Sequence, residues 1–202
     1  MRRDRTDVAR RRSVCDAPGV SWPVAVPLWS PRLALEPLAV EHADEMASVL
    51  AHRDLYRFTG GGPPTLRELR VRYARQARGR SVDGSAGWLN WILRPTGDEQ
   101  SAIGFVQATL TGEACSLTAD LAWLVTPASQ GHGFAVEAAT AVSSWLRPFG
   151  VGRTRAFIRA DHTASSRVAR RIGLTPTTTF VDGEVLWEAE AAGSARDRAT
   201  PR

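Results

Sequence analysis

An anion-binding turn is indicated by six consecutive residues: Gln130, Gly131, His132, Gly133, Phe134 and Ala135. They follow an extended apolar run at 121–125 and open a segment with helical periodicity at 134–147. The N–H groups in the first turn of a helix have no partner within the helix and lie at the positive end of its dipole. Glycines let a ligand approach these groups, so the spacing predicts a phosphate-type site. It also fits two turn glycines before an ordinary helix.

Two common phosphate-binding motifs are excluded. All 26 basic residues are arginine, so the Gly-Lys-Ser/Thr of a P-loop nucleotide hydrolase is absent. A dinucleotide-binding fingerprint requires a third glycine where this chain has Val136. That fingerprint also follows the first strand of its domain, whereas this turn lies about two-thirds of the way along the chain.

The turn resembles the acetyl-CoA pyrophosphate loop of the GNAT N-acetyltransferase superfamily, Gln/Arg-x-x-Gly-x-Gly/Ala, with Gln130, Gly133 and Ala135 at its defined positions. Asp120 and Trp123 match the acidic and aromatic residues of the preceding family strand. The run 133–138 is similar to the branch that acetylates ribosomal-protein N-termini, such as an N-terminal alanine. The likeness covers about residues 32–190. It implies an α/β (α+β) GNAT fold, in which helices flank a central mixed, mostly antiparallel twisted sheet with splayed strands at the acetyl-CoA site.

The resemblance also implies how acetyl-CoA, the co-substrate, is held. Backbone groups of Leu124, Val125 and Thr126 would bind the pantetheine arm, and one N–H there would polarise the thioester carbonyl. The six residues of the turn would bind the pyrophosphate. His162 stands where the family usually has Asn, which makes it a candidate contact to the cofactor, a candidate base or a plain strand-end residue.

Two catalytic residues follow from the same resemblance. Asp120 is the candidate base, acting through water, although it could be an ordinary strand carboxylate. Ser165 is in register with the family's serine and is the candidate proton donor to the leaving sulfur, although it also suits a helix N-cap. Many relatives use a tyrosine donor, but Tyr56 and Tyr73 both fall in the segment that forms the acceptor wall in the family. The four histidines lack metal-ligand spacing, so no metal is expected.

Periodicity and turn residues predict the elements that position these groups. Short turns between apolar runs predict an antiparallel meander, and Thr65 with Glu68 predicts a capping box. Asp182-Gly183 predicts the turn of a closing hairpin. Strands are expected at 32–38, 88–94, 102–110, 117–125 and 153–161, and helices at 42–53, 65–78, 134–147 and before Gly173.

Length and composition indicate one globular domain of 202 residues with tails. Residues 1–28 are expected to form a disordered arginine-rich extension, 29–190 the domain, and 191–202 a flexible tail. Six arginines within the first twelve residues give much of the formal net charge of +5, which assigns the basic character mainly to the extension. Two cysteines and the absence of a signal-peptide pattern or an apolar run of about 18 residues favour a cytoplasmic protein that does not enter membranes.

Three functions remain open at this point. The leading hypothesis is an acetyl-CoA-dependent N-acetyltransferase, a monomer or homodimer, whose acceptor is a primary amine on a protein N-terminus or a small molecule. The second is a non-catalytic acyl-CoA-binding homologue. The third is an arginine-tailed RNA or ribosome binder, for which the chain shows no known module.

Overall fold

The computed structural model describes residues 21–97, 101–113 and 116–190, which form one sheet with helices on both faces. The helices are α1 (His42–Val49), α2 (Leu66–Gln76), α3 (Phe134–Leu146) and α4 (Thr163–Arg171). The strands are β1 (Leu28–Trp29), β2 (Leu33–Pro37), β3 (Gly87–Pro95), β4 (Gly104–Glu113), β5 (Ser116–Val125), β6 (Val151–Arg159), β7 (Thr175–Val181) and β8 (Glu184–Glu190). Short 3-10 turns occupy Arg53–Tyr56, Pro127–Ser129 and Arg147–Phe149.

The sheet is mixed and mostly antiparallel, as predicted. Its strand order is β1-β2-β3-β4-β5-β6-β8-β7. Within the described residues, only β5 and β6 run parallel, because α3 carries the chain from the end of β5 back to the start of β6. All other neighbouring strands are antiparallel.

The two faces of the sheet are covered by different helices. Along β5, alternate residues Leu117, Ala119 and Leu121 are buried in the main core, which contains Ala138, Val142 and Leu146 of α3. Leu124, on the opposite face, packs against the core of α1 and α2. A third cluster joins α4 to Ala156 and Ile158 of β6. Side chains of one strand therefore point alternately toward the α3–α4 face and the α1–α2 face.

Local signals predicted several of these elements correctly. Thr65 and Glu68 form the reciprocal hydrogen bonds of a capping box at the start of α2. Asp182 and Gly183 both have positive φ in the two-residue turn between β7 and β8. The helix predicted from His42 to residue 53 instead ends at Val49, because the chain becomes extended at His52 before the following 3-10 turn.

Residues 21–28 differ from the expected extension because they pack on the domain. The indole of Trp22 donates to the Gly84 carbonyl at 2.9 Å, and the indole of Trp91 donates to the Val26 carbonyl at 2.8 Å. The rest of the predicted extension, the predicted C-terminal tail, Cys15 and Cys115 lie outside the described residues. No helix in the described part of the chain is both long and apolar enough to cross a membrane.

Candidate active site

The parallel strands β5 and β6 separate halfway along their length. Their pairing ends at Asp120 and Arg155. Beyond that point, β5 stays paired with β4 as far as Val125, and β6 stays paired with β8 as far as Arg159. The predicted splay is therefore present, and it leaves one edge of β5 at 121–125 without a neighbouring strand.

The register with β4 decides which backbone groups of β5 face this opening. The N–H of Thr126 donates to the Ile103 carbonyl at 2.7 Å, so Thr126 faces β4. The Leu124 carbonyl also faces β4, so closely that a Cβ on Gly104 would overlap it. Because successive residues of a strand turn their backbone groups to opposite sides, Val125 and Trp123 face the opening.

Of the three residues expected to offer backbone groups, Val125 therefore turns its own toward the opening, whereas Leu124 and Thr126 turn theirs toward β4. Trp123, which was not among the three, also faces the opening with its backbone, because this orientation depends on the pairing partner and not on residue type. The Trp123 side chain lies on the α3–α4 face of the sheet, where it packs between the main core and the α4 cluster. The Val125 carbonyl accepts a hydrogen bond from the Gln130 side chain at 2.9 Å, which ties the turn to the end of β5.

The turn before α3 exposes bare backbone donors. Gly131 and Gly133 have φ of 81° and 84°, in the left-handed region that favours glycine. Gly133 is the N-cap of α3 and provides no side-chain hydrogen bond. None of the described residues accepts from the N–H groups of residues 131–135. A Cβ on Gly133 would meet only the Arg32 guanidinium, at 3.5 Å, so the space over these donors is otherwise open.

Arg32, about 100 residues away in sequence, braces this turn. Its Nη1 donates to the His132 carbonyl at 3.0 Å, and its guanidinium forms an ion pair with Glu137 at 2.6 Å and lies over the Phe134 ring. Burial raises the pKa of Glu137, but the hydrogen bonds from Ser30 and Arg32 outweigh it and leave the pKa below its usual value. No sequence pattern predicted this brace, which depends on the packing of α3 against β2.

Ser165 and His162 are adjacent at the N-terminus of α4, which follows β6 on the far side of the splay. His162, and not Ser165, is the N-cap, since its Nδ1 accepts from the Ser165 N–H at 3.4 Å. Its Nε2 lies 3.1 Å from Ser165 Oγ. Phe58, from the segment between α1 and α2, stacks on the His162 ring with centroids 4.0 Å apart. Desolvation of this imidazole lowers the pKa of His162, which favours the neutral ring.

Asp120 lies where the splay begins. Its two carboxylate oxygens accept from Nε and Nη2 of Arg155 at 2.7 and 3.0 Å, and both side chains are partly buried. Hydrogen bonding to Asp120 raises the pKa of Arg155. The pair joins the last paired residues of β5 and β6, so it stabilises the point from which the strands diverge.

The two tyrosines are already engaged elsewhere. Tyr73 is buried against α1, and burial raises its pKa to about 12. The hydroxyl of Tyr56 donates to the Leu50 carbonyl at 2.9 Å, and burial raises the pKa of this residue too. No cluster of three or more potential metal ligands occurs among the described residues.

Comparison with known proteins gives one family. A family model described as an acetyltransferase (GNAT) domain matches residues 32–175, which include the splay, the turn and α4. A search of curated protein sequences finds no match.

The chain matches several solved structures of the same fold over nearly the whole length of those structures. A GNAT-family acetyltransferase from Bordetella pertussis superimposes with a TM-score of 0.61 at 24% identity, covering 81% of this chain and 98% of that one. RimL, a ribosomal L7/L12 α-N-protein acetyltransferase in complex with CoA, superimposes with a TM-score of 0.64 at 16% identity, covering 82% of this chain and 98% of RimL. The microcin C7 immunity acetyltransferase MccE, in complex with acetyl-CoA and AMP, superimposes with a TM-score of 0.66 at 13% identity, covering 80% of this chain and 94% of the MccE chain.

Proposed function

Because the chain belongs to the GNAT acetyltransferase family and is therefore an acetyl-CoA-dependent acyltransferase, we propose that it acetylates a primary amine. The amine is carried by a protein N-terminus or by a small molecule. The observation that supports this best is the open edge of β5, which leads directly to a turn whose N–H groups find no acceptor in the part of the chain that the structure describes.

The chain's own groups suit acetyl-CoA. The N–H groups of residues 131–135 have no acceptor among the described residues, and Gly131 and Gly133 carry no side chain to obstruct a ligand. These donors would hold the pyrophosphate, as helix N-termini do for anions generally. The backbone groups of Trp123 and Val125 would hold the pantetheine arm as an added strand. When bound, acetyl-CoA supplies a thioester whose acetyl group can pass to an amine.

Ser165 is the proposed proton donor to the departing sulfur. Since His162 Nδ1 accepts from the Ser165 backbone, the neutral imidazole carries its hydrogen on Nε2 and donates it to Ser165 Oγ. The serine hydroxyl hydrogen is then free to be donated elsewhere. His162 is accordingly proposed as the residue that positions Ser165. The neutral amine loses one proton through water to Asp120, and the departing thiolate gains one from Ser165. Transfer of a proton from Asp120 to Ser165 through solvent then restores both side chains, so the protons balance.

Asp120 is retained as the proposed base, acting through a water molecule. Its ion pair with Arg155 supports a second role, in which it holds the two strands together where they begin to diverge. Asp120→Asn separates these roles. Loss of a base lowers kcat and alters its pH profile, whereas loss of the strand contact lowers the Tm and the affinity for acetyl-CoA.

The proposal is tested by mass spectrometry of a panel of amines and N-terminal peptides incubated with acetyl-CoA. Acetylated products that depend on the protein are expected, together with a saturable rise in Tm with acetyl-CoA. Acetyl-CoA binding without any acetylated product would favour the non-catalytic acyl-CoA-binding alternative. Absence of a thermal shift at millimolar acetyl-CoA would contradict the proposal at its first step.

A further inference from the structure

Positive charge is concentrated in the segment that the family uses as its acceptor wall. Residues 53–80 contain eight arginines but only two carboxylates, Asp54 and Glu68, so this stretch alone exceeds the formal net charge of +5 for the whole chain. Residues 29–190 as a whole contain 17 arginines and 17 carboxylates, so the net charge still belongs to the tails and the domain is basic only locally.

Four of these arginines are grouped as the basic belt: Arg53, Arg57, Arg72 and Arg75. On α2, Leu69 and Tyr73 face the core, and Arg70 pairs with Asp44 of α1 on one flank. Arg72 and Arg75 lie on the other flank, since residues on a helix are about 100° apart.

The belt borders two cavities. Arg75 lines one of about 100 Å³, together with Trp88, Asn90 and Gln107. Arg53 and Arg57 line the other, of about 250 Å³, with Tyr56. Burial raises the pKa of Tyr56, which lines this second cavity, and the charge of Arg72 acts in the opposite direction.

Both ends of the belt adjoin the proposed reaction centre. In the first cavity, Gln107 and Thr109 are paired directly with Ala122 and Asp120 of β5. Next to the second cavity, Phe58 follows Arg57 and stacks on His162. A molecule lying along the belt would thus extend past the splay on the α1–α2 face.

Ion pairs among the described residues do not neutralise these guanidinium groups, although Arg57 also lies over the Phe58 ring, 5.4 Å from its centroid. Unlike Arg70, Arg94 and Arg155, none of the four arginines forms an ion pair with another described residue. Like charges held close together on a surface favour a partner of opposite charge.

We propose that the amine accepted by this site is the N-terminus of an acidic peptide segment, whose carboxylates bind the basic belt of Arg53, Arg57, Arg72 and Arg75. This inference rests on the proposed amine acetylation. Separated charges suit an extended chain with several carboxylates better than a single anionic group. The side-chain amides of Gln76, Asn90 and Gln107 in the first cavity can hydrogen-bond a peptide backbone.

The test compares three N-terminally identical peptides that have acidic, neutral or basic residues downstream. Their acetylation is measured by mass spectrometry, and binding of fluorescein-labelled versions is measured by anisotropy. The acidic peptide should have the lowest KM and Kd, and both should rise with salt. The double variant Arg72→Gln/Arg75→Gln should raise both by about tenfold while leaving acetyl-CoA affinity unchanged.

Arg67→Gln/Arg78→Gln is the matched control, because it removes two exposed arginines, one within α2 and one just beyond its C-terminus. Equal loss in both double variants, or equal use of the three peptides, would overturn the inference while the amine acetylation stands. Selective binding of the acidic peptide without acetylation would uphold the belt and contradict the proposed function. A phosphorylated small-molecule amine that outcompetes the acidic peptide would overturn the assignment to a peptide.

Discussion

The N-termini of α2 and α3 differ in whether the free N–H groups of the first helical turn are capped. Thr65 and Glu68 satisfy the free N–H groups of α2 with a complete capping box, and the Thr65 hydrogen bonds hold the pKa of Glu68 below its usual value. At α3, Gly133 provides no cap, and the neighbouring N–H groups have no acceptor among the described residues. Because caps normally stabilise helix starts, an open start beside the splay indicates donors kept available for a ligand.

The N-terminus of α4 is intermediate. His162 caps the Ser165 backbone with one ring nitrogen and contacts its hydroxyl with the other. One residue thus stabilises the helix and orients a candidate proton donor. Substitution is therefore expected to change a different quantity at each helix start. These are the affinity for acetyl-CoA at α3, the kcat at α4 and the stability at α2.

The largest effect is expected at the open start of α3. Gly133→Val would place a branched side chain where the pyrophosphate must approach. Each charge-assisted hydrogen bond lost is worth about 1.5–3 kcal/mol, so the loss of two bonds would weaken the binding of acetyl-CoA by roughly two to four orders of magnitude. Isothermal titration measures this change. The positive φ of 84° adds backbone strain, of the order of 1–3 kcal/mol, that periodicity could not reveal.

Gly183→Val is the matched control for that strain. Gly183 has φ of 81° and open space around it, but it lies in the turn between β7 and β8. Both variants should lose a similar amount of stability, as measured by circular dichroism, and only Gly133→Val should lose affinity for acetyl-CoA. Equal binding by the two would make the turn before α3 purely structural.

The next largest effect is expected at α4. Ser165→Ala removes the hydroxyl but keeps the backbone N–H that His162 caps, so the helix should remain intact. Loss of a general acid typically lowers kcat by about a hundredfold or more. Steady-state kinetics should show this with unchanged acetyl-CoA affinity. Ser166→Ala, one residue later, should behave like the parent; a similar loss in kcat there would point to the helix and not the hydroxyl.

A smaller effect is expected from the brace behind the turn. Arg32→Gln removes the ion pair to Glu137 and the bond to the His132 carbonyl, so the donors of the turn should be held less firmly. The Kd for acetyl-CoA should rise by about tenfold. Arg70→Gln, at an arginine of similar exposure paired with Asp44, should leave that Kd unchanged. If the two variants bind acetyl-CoA alike, the brace has no part in binding.

The smallest effect is expected at the capped start of α2. Thr65→Ala deletes a hydroxyl that accepts from the Glu68 N–H. Loss of such a cap should lower the Tm by about 2–4 °C, as measured by differential scanning calorimetry. Acetyl-CoA affinity should not change, since α2 and α3 pack on opposite faces of the sheet. A weaker affinity in Thr65→Ala would show that the two helix starts are coupled.

The sequence by itself determined the features that depend on neighbouring residues. The capping box at Thr65, the Asp182-Gly183 turn and the strand–turn–helix around Gly133 all follow from conformational preferences within a few residues. The mixed sheet and its splay were also predicted, through the resemblance in the turn and the strand before it. These local patterns were sufficient to indicate the family.

Only the tertiary structure decided which groups meet across the chain. The brace from Arg32 to Glu137 spans 105 residues, and the stacking of Phe58 on His162 also joins distant segments. The backbone orientation of Val125 and Trp123 depends on the register with β4, and the pairing of Asp120 with Arg155 depends on the parallel alignment of β5 and β6. Such contacts arise from packing between elements, and no residue type or short spacing encodes them. The basic belt combines both levels: its arginines are visible in the sequence, but the helix packing decides which of them line the two cavities.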